Sequence, residues 1–361
     1  MDLGKVESYI RELFGKDASI KSAGEIGGTD ELKGFGYGKP LKINIEVEGV
    51  EKGLVLSSMR GDSFGHEHME DRAHVLMKQY NIFNTLPEHV KAVDIGYFTE
   101  DGSLVSSKDA DEYFLLMEEV ENGLEYFLDL NRISERGVLE DLDRERARAL
   151  SSYLGRIHAI KPGEGKESLY TRRIRELVGH GECIMGLMDS YAPDLGFITW
   201  DELEEIERGA VGWRWRIKDR VERLCAVHGD FHPWNILFQA GTPSFTLLDR
   251  SRGAWGEAAD DVSSITINYI FYALNEYGSF KGEFRELYDI FWETYLEKSQ
   301  DTEILEVIPP FYLFRGLVVA SPIWYPNLDL EVRLKLFNFI KSMAKIERFE
   351  YEHVEKYLEK I

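Results

Sequence analysis

The chain is predicted to be α+β, with a lobe built on antiparallel sheet over residues 1–120 and a mainly helical lobe over residues 121–361. Three observations predict it. Strand-like alternation with glycine punctuation fills the first third of the sequence. Helical spacing of apolar residues takes over from about residue 121. Within that helical half, one short strand-turn-strand unit interrupts the pattern, and it carries a set of oxygen-bearing side chains.

In order, Val6, Ile10 and Leu13-Phe14 predict an amphipathic helix over residues 4–15. Ser19 to Ile26 reads as a strand, and Leu41 to Val47 alternates as a half-buried strand does. Between them lies Gly34-Phe35-Gly36-Tyr37-Gly38-Lys39. Glycines there let backbone N–H groups approach a phosphate closely; the competing readings are an ordinary glycine-rich hairpin, or Gly27-Gly28 in that role. Gly53 to Met59 is the next strand. Met69, Ala73, Leu76 and Tyr80 share one face of a helix over residues 66–80, with Glu67 and Glu70 in its first half, where the helix dipole alone favours acids. Strands are predicted over Val90 to Phe98, with a turn at Glu100-Asp101-Gly102, and over Glu112 to Val120.

Past the boundary near 120, Ala147, Leu150, Leu154 and Ile157 mark a helix over Asp143 to Ile160, ended by Lys161-Pro162-Gly163. His158 near its end is expected to be structural. Arginines are dense over residues 163–222 (Arg172, Arg173, Arg175, Arg214, Arg216, Arg220). They suit either salt bridges to the surrounding acids or a pocket for an anionic or polyhydroxylated ligand. The remainder is helical and rich in aromatic residues.

The central stretch is Val227-His228-Gly229-Asp230-Phe231-His232-Pro233-Trp234-Asn235-Ile236-Leu237-Phe238. A loop carrying Asp230 and Asn235 runs into a strand, turns at Gly241 and Pro243, and returns as Phe245 to Leu248 to deliver Asp249. Oxygen-only side chains held at one point suit magnesium bound together with phosphates. A carboxylate left free of the metal can take a hydroxyl proton.

Asp-x-x-x-x-Asn followed by a strand-borne Asp resembles the catalytic loop and metal site of the protein-kinase-like fold. His-Gly-Asp in place of His-Arg-Asp is similar to the aminoglycoside phosphotransferase and choline kinase branch of small-molecule kinases. The resemblance spans roughly residues 25–265, with specific motifs only in residues 228–262. It implies a two-lobed kinase-like fold and ATP with Mg2+ as cofactors. It makes Asp230 the catalytic base, and Asn235 and Asp249 the metal ligands. Further implied are a phosphate loop at Gly34, Gly36 and Gly38, a helix glutamate at Glu70 or Glu67, and backbone groups of Glu118 and Val120 against adenine. Where the family has a strand lysine this chain has Ser57, so Arg60, Lys42 or Arg250 must supply that cation. Gly256-Glu257-Ala258-Ala259-Asp260-Asp261-Val262 resembles the family's Gly-Asp-Pro-x-x-Asp-Leu-Ala, which makes Asp261 the acid that ties the catalytic loop down.

The expected activity is phosphorylation of a hydroxyl on a small molecule. Arg250 and Arg252 follow Asp249 directly and would repel a polyamine, so a sugar-like or other neutral-to-anionic acceptor is favoured over an aminoglycoside. Arg172 and Arg175 are further acceptor-binding candidates. The alternative, motivated by Ser57, is a catalytically impaired nucleotide-binding regulator. A net charge of −22 argues against nucleic acid as a partner. No run of about 18 apolar residues predicts a membrane span. The N-terminus shows no basic-then-apolar signal, and two cysteines make no disulfide framework. A cytoplasmic monomer or homodimer is therefore expected.

Overall fold

The computed structural model describes residues 2–25, 38–85, 87–192 and 195–360, with the backbone alone at Glu25 and Lys39. The chain folds into two compact units, Met1–Met117 and Glu118–Ile361.

The first unit opens with α1 (Leu3–Phe14), whose N-cap Asp2 accepts from the Gly4 N–H at 2.8 Å. Val6 and Ile10 on its inner face are buried against a three-stranded antiparallel sheet in the order β1 (Ser19–Glu25), β2 (Gly38–Val47), β3 (Val50–Met59). Ile43 and Ile45 complete this small core from β2, so Leu41, Ile43 and Ile45 face α1 and Lys42 faces the other way. α2 (Met69–Phe83) follows; none of its residues is fully buried.

The strand expected over Val90 to Phe98 shrinks to β4 (Gly96–Phe98), paired with β5 (Leu104–Ser106) across a turn at Gly102. A competing bond explains the loss: the Asn84 carboxamide both donates to the Ala92 carbonyl and accepts from its N–H, each at 3.0 Å, occupying the groups a ladder would use. The strand expected over Glu112 to Val120 is absent. Residues 111–120 are irregular, with Phe114 and Leu116 about nine-tenths exposed. Among the described residues no strand pairs with them, and an apolar run without alternation fixes neither register nor partner.

The second unit holds the large core. β6 (Gly123–Glu125) leads into α3 (Tyr126–Arg136), α4 (Asp141–His158), α5 (Glu167–Gly179), α6 (Ile184–Asp189) and α7 (Trp200–Ile217). Glu140 donates its N–H to Asp143 at the start of α4, and Thr199 and Glu202 cap α7 reciprocally. β7 (Cys225–Ala226) precedes the central loop. β8 (Ile236–Gln239) and β9 (Phe245–Leu247) form the expected hairpin, with β6 added at the outer edge of β8.

β10 (Trp255–Gly256) pairs with β7 and hands the chain to α8 (Ala258–Tyr277). That helix is buried on nearly every side over most of its length, the mark of a central helix. Around it lie α9 (Gly282–Ser299), α10 (Ile304–Val307), α11 (Pro309–Ala320) and α12 (Leu330–Lys345), and α13 (Glu355–Leu358) packs on α12. No helix is long and apolar enough to cross a membrane among the described residues.

Candidate active site

The loop between β7 and β8 is held by the first turn of α8. Asp261 accepts from the backbone N–H of His228 at 2.8 Å and of Gly229 at 2.7 Å, and His158 Nε2 lies 3.2 Å from the same carboxylate. Both residues are buried, so His158 is structural, as its sequence position suggested; its other nitrogen meets Tyr295 Oη at 2.9 Å. Glu257, the other acid of that motif, is buried and accepts two hydrogen bonds from Arg223 and one from Tyr170.

His228 explains its own place in His-Gly-Asp. With the proton on Nε2, it donates to the Leu248 carbonyl at 2.8 Å, and Nδ1 accepts from the Asp230 N–H at 3.3 Å. One imidazole thereby fixes the spacing between Asp230 and the residue before Asp249. Gly229 is required for two reasons. Its φ is +87°, and a Cβ there would come within 2.9 Å of Arg252 Cβ. A residue bearing a side chain would push Arg252 away from Asp230.

Asn235 is buried. Its Nδ2 donates to the Asp230 carbonyl at 3.1 Å, and its backbone carbonyl accepts from Leu248 N at 2.9 Å. Asp249 follows directly in a left-handed conformation (φ 51°), which Asp tolerates better than most residues. Its exposed carboxylate makes no hydrogen bond or ion pair among the described residues, nor does Asn235 Oδ1. The structure thus brings Asp230, Asn235 and Asp249 to one end of the hairpin. At the other end, Arg146 of α4 ties down the turn through the carbonyls of Gln239 and Thr242, with its guanidinium over the Phe238 ring.

Asp230 sits in an ion-pair network that its sequence neighbours do not reveal. Arg315 of α11 donates to Asp230 Oδ1 at 2.5 Å, to the Gly229 carbonyl at 3.0 Å and to Asp260 Oδ1 at 2.8 Å. Arg173 of α5 donates to the other oxygen of Asp260. Burial alone would raise the Asp230 pKa. The Arg315 charge, the His232 ring 3.6 Å from Oδ2 and the charge of Arg252 outweigh it and hold the carboxyl well below the usual range. Asp260 is likewise lowered: burial opposes, but Arg173 and Arg315 prevail.

Of the acceptor candidates, only Arg252 reaches this network, with Nε 3.9 Å from Asp230 Oδ2. Arg250 turns back on the chain and donates to the carbonyls of Val227 and Ala254. Arg172 pairs with Glu176 along α5, and Arg175 is exposed. The buried arginine of that helix is Arg173, which shares a face with Leu169, Tyr170, Ile174 and Leu177. Arg315 carried a comparable signal, a lone charge inside the apolar run of α11. A charged residue on an apolar face must be paired, and each of these is.

In the first unit, Gly34 and Gly36 lie outside the described residues, and Gly38 opens β2. Ser57 pairs with Pro40 and Val55 with Lys42, so Lys42 and Ser57 share the sheet face turned away from α1. Arg60 lies just past the end of β3 and Glu70 in the first turn of α2; both are exposed and without a polar partner among the described residues. Glu118 and Val120 belong to the second unit, in irregular chain whose backbone groups are uncommitted among the described residues.

The model of the phosphotransferase enzyme family (APH) matches residues 114–298, just over half of the chain, and contains the whole hairpin and the start of α8. Among solved structures, an amicoumacin kinase in complex with AMP-PNP, Ca2+ and its ligand aligns over 98% of this chain and 97% of its own at 13% identity, with a TM-score of 0.43. An ethanolamine kinase from Plasmodium vivax aligns over 97% and 84% at 13% identity with a TM-score of 0.34. An ADP-bound aminoglycoside phosphotransferase aligns over 96% and 100% at 12% identity with a TM-score of 0.32. No curated protein matches the sequence. By the family model, and in keeping with its His228-Gly229-Asp230 loop, the chain belongs to the phosphotransferase enzyme family, the kinase-like phosphotransferases that act on small molecules.

Proposed function

We propose that this protein transfers the γ-phosphoryl group of ATP, in the presence of Mg2+, to a hydroxyl group of a small molecule. One observation carries the reading: Asp230 is clamped and ionised while the nearby oxygens of Asn235 and Asp249 are left uncommitted. Arg315 occupies Oδ1, so Oδ2, with His232 Nε2 at 3.6 Å and Arg252 Nε at 3.9 Å, is the atom that would meet an acceptor hydroxyl. As the acceptor oxygen bonds to the γ-phosphorus and the bridge to ADP breaks, the hydroxyl proton passes to Oδ2. A carboxylate held so strongly ionised is a weak base. Its contribution is chiefly to orient the hydroxyl, which suits a loose transition state that depends on positioning.

The donor set fits magnesium: one carboxylate and one carboxamide oxygen, both hard, with room for phosphate oxygens and water to complete the shell. Asn235 and Asp249 would hold the ion, which when bound neutralises phosphate charge. For the nucleotide, the proposed contacts are Gly34, Gly36, Gly38 and Arg60, the Glu70 carboxylate, and the backbone of Glu118 and Val120, with residues 1–120 as the nucleotide-binding lobe. Lys42 supports the reading against an inactive regulator, because it puts a cation on the same sheet face as Ser57.

The test is ADP release over a panel of hydroxylated metabolites. Asp230→Asn should lower turnover by roughly two orders of magnitude or more while leaving fold and ATP binding intact; unchanged turnover removes Asp230 from the chemistry. A sugar-like or other neutral-to-anionic acceptor is favoured, and stimulation by aminoglycosides but not by sugars or polyols would reverse that order. Magnesium-dependent ATP binding with no turnover on any acceptor would instead favour the regulator.

A further inference from the structure

Three guanidinium groups and two carboxylates meet around Asp230, and their charges do not balance. Arg173 is spent on Asp260, and Arg315 is shared between Asp260 and Asp230. Arg252 is left over. Its side chain is 15% exposed, and its buried Nε has no hydrogen-bond partner among the described residues, the approach to Asp230 Oδ2 being 3.9 Å. Nη1 donates to Cys183 Sγ at 3.3 Å, but burial pushes the Cys183 thiol up, so the sulfur carries no charge to offset the arginine. The carboxylate nearest the other end, Glu182, stands 3.8 Å from Nη2 on a side chain 71% exposed, where water screens it. The guanidinium is held over the Phe314 ring at 5.5 Å, in a fixed pose. A buried guanidinium short of one counter-charge is costly, and the cost falls when an anion arrives.

We infer that Arg252 is a specificity-determining residue that binds an oxyanion, carboxylate or phosphate, carried by the acceptor itself beside Asp230 Oδ2. The inference rests on the phosphotransferase reading and deepens it: the acceptor is a hydroxy acid or a phosphorylated polyol. Arg252 faces the acceptor rather than the nucleotide because its other partners, Cys183 capping α6 and Phe314 within α11, stand on helices and not on the hairpin. Asn235 and Asp249, the groups suited to metal and nucleotide phosphates, belong to the hairpin. Gly229 preserves the arrangement, since any Cβ there would displace Arg252.

The test uses matched acceptors, gluconate against glucitol and glycerol 3-phosphate against glycerol, with ADP release as readout on the full chain. In at least one pair the anionic member should show a kcat/KM roughly tenfold or more above its neutral partner, as one charge-assisted contact gives. The pair that responds identifies carboxylate or phosphate as the recognised group. Arg252→Gln should bring that ratio to about one, and Arg252→Lys, which keeps the charge without the fork, should restore part of it. A neutral partner used equally well in both pairs, or a ratio unchanged in Arg252→Gln, overturns the inference. Thermal stabilisation of the nucleotide-free chain by the same four compounds separates this from failure of the phosphotransferase reading. If no compound releases ADP, stabilisation by an anionic member that is lost in Arg252→Gln still upholds the anion site. Equal response to charged and neutral members overturns it.

Discussion

The two units of this chain are built to different standards of burial. Among the described residues of Met1–Met117 the fully buried apolar set is Val6, Ile10, Ala18, Ile43 and Ile45, and the long helix α2 contributes nothing to it. In Glu118–Ile361 a continuous core runs from Tyr126 to Leu358, with aromatic side chains such as Phe291, Trp292 and Phe311 fully enclosed. The residues proposed to hold an acceptor hydroxyl and a metal, Asp230, Asn235 and Asp249, stand on the second unit. The difference teaches where positional accuracy is needed. A carboxylate that orients a reacting oxygen must be fixed to fractions of an ångström, and only the second unit has the packed surroundings to fix it.

The largest expected effect attacks that fixation. Asp260→Asn removes the carboxylate shared by Arg173 and Arg315, leaving two guanidinium groups buried with too little counter-charge. A loss of about 3–5 kcal/mol is expected, measured by urea unfolding. Acid should act on the same groups. Asp230 and Asp260 both have lowered pKa values in the folded protein, so the folded state binds fewer protons than the unfolded chain. Their contribution to stability is complete above the ordinary carboxylate value of about 4 and drains away as pH falls below it. A melting temperature unchanged between neutral pH and pH 3 would contradict this.

The next effect is aimed at the smaller core. Ile45→Ala opens a cavity where few neighbours can close it, at an expected cost of about 2–4 kcal/mol. All seven tryptophans lie beyond residue 117, so tryptophan fluorescence reports the second unit alone, while far-UV circular dichroism reports both. The substitution should lower the dichroism transition more than the fluorescence transition. Equal shifts in both probes would break the comparison, because the two units would then unfold as one.

Much of the fold was legible because local chemistry and packing agree. The spacing of Val6 and Ile10 marked α1, that of Ala147, Leu150 and Leu154 marked α4, and Gly241 with Pro243 marked the hairpin turn. Reading failed where partners from elsewhere in the chain decide the outcome. Tyr113 to Met117 has strand composition but no strand beside it among the described residues. Ala92 gives its backbone groups to Asn84 instead of a ladder. At the site, the hairpin residues could be read from their order. Arg173 and Arg315 could not, because their partner Asp260 is distant in sequence and arginine on a helix usually faces water. The usable clue was burial: each sits among apolar neighbours on its own helix.

A smaller effect sharpens the contrast within the second unit itself. Gly229→Ala adds a single methyl group to the loop between β7 and β8, at φ +87° and within 2.9 Å of Arg252 Cβ. The backbone strain should cost about 1–3 kcal/mol, well below the loss from Asp260→Asn, since no buried charge is orphaned. Arg315 and Asp261 still grip the loop from α11 and α8, so Asp230 keeps its place while Arg252 is displaced. The substitution should therefore raise the KM for an anionic acceptor more than it lowers kcat. A fall in kcat with KM unchanged would mean that the loop had moved as a whole, and that Asp261 and Arg315 do not hold Asp230 independently of Arg252.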